Sequence, residues 1–411
     1  MSACCYRYCR VTPSCSAQYV CNKLTGAPVH SLPGGRTVVP LLHPQHHSLP
    51  FALTLELHAR QPERYGDTAK LPRPPQLDPS VFALHYVLAG SGKLVRAGGS
   101  EQLQAGDAVL MQSGAAACCV ADGEDEEEWS ARQPAGGSEA PAWHLAELVA
   151  YMPQELFRQP RQQTGQVPLL AAASLQPLLQ HASIEVGALP DSVARELLAG
   201  AKATARQALL GGEGPGAQQD GSSSSGDEDG SSSGSSSSAG GSGERLLPFF
   251  QSAANSLAGW WQQQQGRTCP VTKRTLAELT AFQMPGQTNR LAVQFDPFSR
   301  PEVPFISGIE VFERGHHTQP HVHPHAHELF FILAGQGTAF CGSERFPVTA
   351  GDVVVFCPGS VHGIDNDSSS RMYCLELMVP NEQFAEFVRT GTDTGRLAAD
   401  DMCVLASIGC R

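Results

Sequence analysis

Six histidines fall between His316 and His327, in the stretch GHHTQPHVHPHAHE. Imidazoles are the commonest metal ligands, and several beside a carboxylate make a donor set for one cation. On an extended chain, residues two apart point to one face, so His321 and His323 project together, with Cα atoms about 6–7 Å apart. Glu328 follows a short turn and can add an oxygen. His362 follows the turn-forming run Pro358-Gly359-Ser360 and can close the site from a neighbouring strand. Three imidazoles and one carboxylate suit one divalent transition metal: Fe(II), Mn(II), Ni(II), Cu(II) or Zn(II). His325 and His327 continue the same alternation and are rivals for ligation.

The elements that must position these residues occur twice. FALHYVLAGSG at 82–92 is followed by AGDAVLMQSG at 105–114, and HELFFILAGQG at 327–337 by AGDVVVFCPG at 350–359. Gly92 to Gly106 and Gly337 to Gly351 are both fourteen residues. An alternating apolar run precedes each block (53–60, 308–315) and another follows it (144–152, 373–379). Such short β-branched and aromatic runs ending at Gly or Asp turns read as strands, and the repeat reads as one duplicated β-domain. Between the halves, residues 211–245 are a Gly/Ser tract with nothing apolar to bury, which predicts a disordered linker. Helical spacing is expected over 191–210 and 248–265.

The expected organisation is a disordered or targeting-like tail over 1–40 and a first barrel over 41–160. A helical insertion follows over 161–210, then the linker over 211–245. A helix and lead-in take 246–290, a second barrel 291–395, and a tail 396–411. The fold class is all-β: two barrels joined by a helical segment and the Gly/Ser linker.

With these residues placed, the second half resembles the cupin superfamily of jelly-roll barrels. Its first motif, G(X)5HXH(X)3–4E(X)6G, is met by Gly315, His321, His323, Glu328 and Gly335. Its second, G(X)5PXG(X)2H(X)3N, is met by Gly351, Gly359, His362 and Asn366, except that Cys357 stands at the first proline position and Pro358 follows it. HVHPHAHE is similar to the germin-type stretch of the family. The resemblance implies a metal held by His321, His323, Glu328 and His362, with Asn366 orienting the loop beside His362. In the first half, aligning Gly90 with Gly335 sets Ala83 opposite Glu328 and Ala117 opposite His362. That half therefore resembles a degenerate barrel without the quartet, and the whole resembles a bicupin.

Alternation from Glu328 points Phe330 and Ile332 inward, and Phe340, Phe356 and Tyr373 are expected to complete an apolar wall. Arg314, Arg345 and Arg371 are the cations that could hold an anionic substrate. His316 and His317 are expected outside the barrel, and His43, His46 and His47 in loops. The resemblance implies a metal-dependent enzyme, with Fe or Mn favoured. Dioxygenation of a small chelating substrate is the first expectation, with Glu328 as catalytic proton acceptor. A lyase or hydrolase (oxalate decarboxylase or ureide type) and a non-enzymatic sensor-like binder are the alternatives.

Composition restricts partners. The net charge is −12, concentrated in the run 122–128 and the linker, and no basic stripe is present, which speaks against nucleic acid. The longest apolar runs, such as Leu329 to Ala334, are too short to span a bilayer. A small-molecule substrate is the expected partner, with homo-oligomer contacts through barrel faces. The 13 cysteines do not form a disulfide framework in a chain of 411 residues. The compartment is expected to be cytoplasmic. Residues 1–55 lack Asp and Glu, which gives a plastid or other organelle as the alternative.

Overall fold

The computed structural model describes residues 18–32, 36–59, 81–96, 99–112, 115, 117–121, 143–158, 184–198 and 270–408. The β-branched and aromatic runs fold as antiparallel strands and build two units, each a large sheet facing a small one. In the second unit the large sheet begins with Tyr19–Lys23, Asp352–Phe356, His327–Ala334 and Met372–Val379. It continues through Ile306–Phe312, Arg290–Phe295, Thr280–Gln283 and Thr392–Arg396. Facing it are Glu344–Thr349, Gln336–Cys341 and His362–Asp365. The first unit repeats this plan around the long strand Val81–Arg96. Its first half pairs with Leu145–Pro153 and Ala108–Met111, its second with Gly99–Gln104 and Ala117–Ala121. Neither large sheet closes on itself.

The repeated glycines have a steric cause. Gly90 and Gly335 sit at φ 80° and 87°, and a Cβ there would lie 2.0 Å from the His144 carbonyl oxygen and 2.8 Å from that of Arg371. Only glycine allows the strand to leave one sheet for the other at this point.

The two units exchange edge strands. Tyr19–Lys23, which precedes the first unit in sequence, pairs with Asp352–Phe356 of the second. Val271–Arg274, which precedes the second, pairs with Ala108–Met111 of the first. The outward faces of the two large sheets then pack on one another. Leu55, Leu84 and Leu148 from the first unit share one core with Ile309, Leu329, Phe331 and Leu375 from the second. The central strand His327–Ala334 is thus buried on both faces.

Three expectations about boundaries differ from the structure. Strands Tyr19–Lys23, Pro28–Leu32 and Arg36–Leu42 lie in or across the segment read as a tail. Its missing acids said nothing about Val20, Val29, Val38 and Val39, which are buried. Residues 396–411 likewise contain the helix Ala399–Ser407, which buries Val404 and Leu405 against the shared core. Within the expected helical insertion, Ile184–Ala188 is a strand and Asp191–Leu197 a helix. The Gly/Ser linker and the expected helix over 248–265 lie outside the described residues.

Candidate metal centre

The histidine-rich segment is not the strand that alternation suggested. Pro320 and Pro324 lack the amide donors a ladder requires. Between Phe312 and His327 the chain is held instead by two isolated bridges, His316 to Asn366 and His321 to His362. His362 N donates to the His321 carbonyl at 3.0 Å, His321 N returns the bond at 3.3 Å, and Gly359 N donates to the His323 carbonyl at 2.9 Å. These bonds tie the loop to the turn before His362 and swing both imidazoles over the strand that carries Glu328. The register of that strand, Glu328 opposite Phe356 on one side and Met378 on the other, points the carboxylate between the sheets.

The four side chains converge, with one donor atom from each lying within 4.8 Å of all the others. His362 Nε2 is 2.8 Å from Glu328 Oε2, His321 Nε2 is 3.8 Å from the same oxygen, and His323 Nε2 is 3.7 Å from Oε1. Glu328 is 3% exposed and His362 1%. Backbone carbonyls select the tautomers. His362 Nδ1 lies 2.8 Å from the Ser360 carbonyl oxygen and His321 Nδ1 2.9 Å from that of Gln319. Each Nδ1–H donates to its carbonyl, so each Nε2 is turned toward Glu328, where a metal would take its lone pair in place of a proton. His323 Nε2 is buried with no hydrogen-bond partner. Burial holds His323 down to about 4, so it is a neutral imidazole at physiological pH. Burial pushes Glu328 up, but hydrogen bonds from His321 and His362 outweigh it and hold the carboxyl well below its ordinary range. Three imidazole nitrogens thus face one carboxylate, and that of His323 has no hydrogen-bond partner. The donor set fits a divalent transition metal.

Residues 308–379 match the family model described as Cupin domain. The second unit is a cupin domain. No curated protein matches the chain by sequence. Among solved structures, the E. coli protein Ylba aligns at 11% identity over 87% of this chain and 90% of its own, with a TM-score of 0.44. The Lactobacillus farciminis oxalate decarboxylase formate complex aligns at 11% identity over 90% and 88%, with a TM-score of 0.42. A Bacillus subtilis oxalate decarboxylase variant aligns at 13% identity over 88% and 77%, with a TM-score of 0.40.

Around the quartet, the wall of the cupin domain is partly the one alternation indicated. The Phe356 ring stacks on His362 at 4.4 Å and 14°, which fixes the imidazole plane. Phe330 packs against Phe356 and Phe312 at ring distances of 6.2 and 6.3 Å. Asn366 is buried, and its amide donates to the carbonyls of Phe312, Glu313 and Ser370, so it pins the loop rather than touching the site.

Two expected wall residues are elsewhere. Tyr373 belongs to the face shared between the units, and its hydroxyl donates to Asp401 at 2.9 Å. Phe340 is on the outer side of its strand, with Arg345 above its ring, while its neighbours Ala339 and Cys341 point into the core. The arginines also turn away: Arg345 pairs with Asp365, Arg371 with Glu313, Asp400 and Asp401, and Arg314 is exposed.

The other histidines are placed apart from the quartet. His327 meets Phe51 of the first unit edge-on, and His325 is exposed. His316 is buried between Thr288 and Thr318 rather than outside, because the bridge to Asn366 draws it in; His317 is exposed as expected. His46 and His47 lie in the short helix Pro44–His47 rather than a loop, next to His43.

Residues not anticipated complete the site. Phe384 meets His323 edge-on at 6.0 Å, and Met378 is the cross-strand neighbour of Glu328, buried in an apolar cluster. Behind Glu328 lie two further buried carboxyls, Glu310 and Glu376. Burial pushes Glu310 up to about 8, reinforced by the Glu328 charge, while Asn289 donates to it. Burial and the neighbouring carboxylates likewise raise Glu376 well above its ordinary range.

Proposed function

We propose that His321, His323, Glu328 and His362 bind one divalent transition metal, Fe(II) or Mn(II). On this reading the chain is a metal-dependent enzyme, of dioxygenase type, acting on a small chelating substrate. The observation that carries this is the convergence of four donor atoms within 4.8 Å of one another, two on buried residues and two on half-buried ones. A metal held by four protein ligands keeps positions open for a chelating substrate and for dioxygen.

The chain's own residues supply the rest. The Ser360 and Gln319 carbonyls hold the imidazole tautomers, and the Phe356 ring holds His362 in plane. Phe330, Phe356, Met378 and Phe384 exclude water. Glu328 is the proton acceptor at the reacting centre, through the oxygen that faces the imidazoles least closely.

A second reading, a lyase or hydrolase, is favoured by one specific feature: the pair Glu310 and Glu376 holds protons directly behind Glu328. A decarboxylation that leaves a carbanion needs such a proton, whereas dioxygenation does not.

Metal analysis of the purified chain by mass spectrometry, with an O2-electrode and CO2-release screen over small dicarboxylates and catechols, distinguishes them. Iron with substrate-dependent O2 uptake supports the dioxygenase. Manganese with CO2 release and no net O2 uptake supports the lyase. A chain that takes up neither metal, with His362→Ala indistinguishable from wild type, sinks both. Glu328→Gln retaining metal and full turnover would remove the proton-acceptor role.

A further inference from the structure

The first unit has lost the quartet, yet its interior is not apolar. His85, Cys119 and Glu147 are all buried, and one donor atom from each lies within 4.8 Å of the others. Glu147 is 0% exposed, and neither of its carboxylate oxygens makes a well-formed hydrogen bond. His85 Nδ1 stands 3.6 Å from Glu147 Oε2 and is itself unpartnered, and His58 Nε2 stands 3.1 Å from the same oxygen. The nearby guanidinium of Arg36 is directed at Glu56, 3.2 Å away, and Tyr151 donates to that same carboxylate. Glu56 is thus satisfied by Arg36 and Tyr151, whereas Glu147 has His58 and His85 at ion-pair distance and no well-formed hydrogen bond. A buried carboxylate without hydrogen bonds is costly unless a positive charge sits against it.

The register shows that this is not a worn remnant of the quartet. With Gly90 opposite Gly335, His85 corresponds to Phe330. Glu147 faces Val87 as Cys374 faces Ile332, and Cys119 faces Leu94 as Ile364 faces Ala339. The cupin domain therefore has Phe330, Ile364 and Cys374 at this level, all within its core. The level of the quartet itself is taken in the first unit by Ala83 and Ala117. The polar groups lie one inward-facing position further along the strand, about 7 Å. Polar residues have been introduced where the other copy has core, at a point its metal does not use.

We propose that His85, Cys119 and Glu147 form a second metal site, for Zn2+, inside the first unit, with His58 orienting the Glu147 carboxylate. One thiolate, one imidazole and one carboxylate are donor types that zinc takes, filling three of its four tetrahedral positions, in contrast to the sulfur-free quartet of the cupin domain. On binding, the Cys119 thiol proton leaves to solvent and the sulfur bonds the metal. Such a site stabilises the first unit and is independent of turnover in the second.

The quartet contains no sulfur, which makes the test selective. Full-length protein stripped with chelator is titrated with Co(II), then with Zn(II). The expected result is a near-ultraviolet thiolate-to-cobalt charge-transfer band, displaced by Zn(II). The band is lost in Cys119→Val and in His85→Phe, the latter placing the cupin domain's own residue at this level, and persists in Cys118→Val. X-ray absorption at the zinc edge of wild-type protein needs no variant and should show one sulfur at about 2.3 Å. Absence of both the band and the sulfur shell overturns the site. So does a band that survives in Cys119→Val, which would assign the metal to another thiol.

Discussion

Glu310 shows how a single residue's environment sets a measurable property. Its carboxyl is buried beside Glu328 of the His321, His323, Glu328 and His362 cluster and pushed up to about 8 by burial and by the Glu328 charge. The folded, metal-free chain therefore keeps the proton at pH 7, whereas the unfolded chain, with an ordinary value of 4.5, gives it up. Between these values unfolding releases a proton, so stability is fully present below the lower one and falls as pH rises toward the upper. The loss is on the order of 1 kcal/mol per pH unit for one such group. Glu310→Gln keeps the shape and removes the titration. In chelator-treated protein, the thermal midpoint of this variant should fall less between about pH 5 and 8 than that of wild type; parallel curves would refute the assignment. The quartet was legible in the sequence because its positions are fixed by counting. Glu310 and Glu376 were not, and the reason is physical. In YCLELMV the leucines look inward and the glutamate outward, but the strand is buried on both faces. The leucines go to the face between the units and the glutamate to the barrel interior, and Tyr373 follows the leucines.

At the scale of elements, the repeat spacing and the glycine turns made two β-units readable, since Gly90 and Gly335 are required by backbone approach. The exchange of edge strands was not readable. Tyr19–Lys23 carries only five residues of modest alternation, and nothing local says that its partner lies more than 300 residues away. Its role can be tested. Tyr19 stacks on Phe346 at 4.6 Å and donates to Glu344, and the strand covers the edge of Asp352–Phe356, whose next neighbour carries Glu328. Removing residues 1–23 exposes that edge, a template for pairing with other chains. The truncated protein should melt lower and self-associate in a concentration-dependent way by analytical ultracentrifugation, and its metal affinity should fall although no ligand is touched. A truncated chain that stays monomeric with unchanged melting would show the strand to be dispensable.

For the whole molecule, the decisive feature is the single core shared by the two large sheets. Phe331 is fully buried in it, flanked in register by Val353 and Leu375, and Phe82 of the first unit meets Phe305 of the second edge-on at 5.9 Å. Two barrels tethered by a linker alone would unfold separately, each with its own midpoint. Two units that share a core and lend each other an edge strand lose that common burial if either opens, so opening one exposes the other. Phe331→Ala leaves a cavity costing about 3–5 kcal/mol, a large fraction of a typical stability of about 5–15 kcal/mol. The cost should be borne by both units, although the residue belongs to one. Calorimetry should show one transition shifted to lower temperature. Peptide-resolved hydrogen exchange should rise in Leu145–Pro153 of the first unit as well as in Met372–Val379 of the second. If exchange rises only in the second unit, or if the transition splits in two, the shared core is a contact between independent domains and the exchanged strands do not couple them.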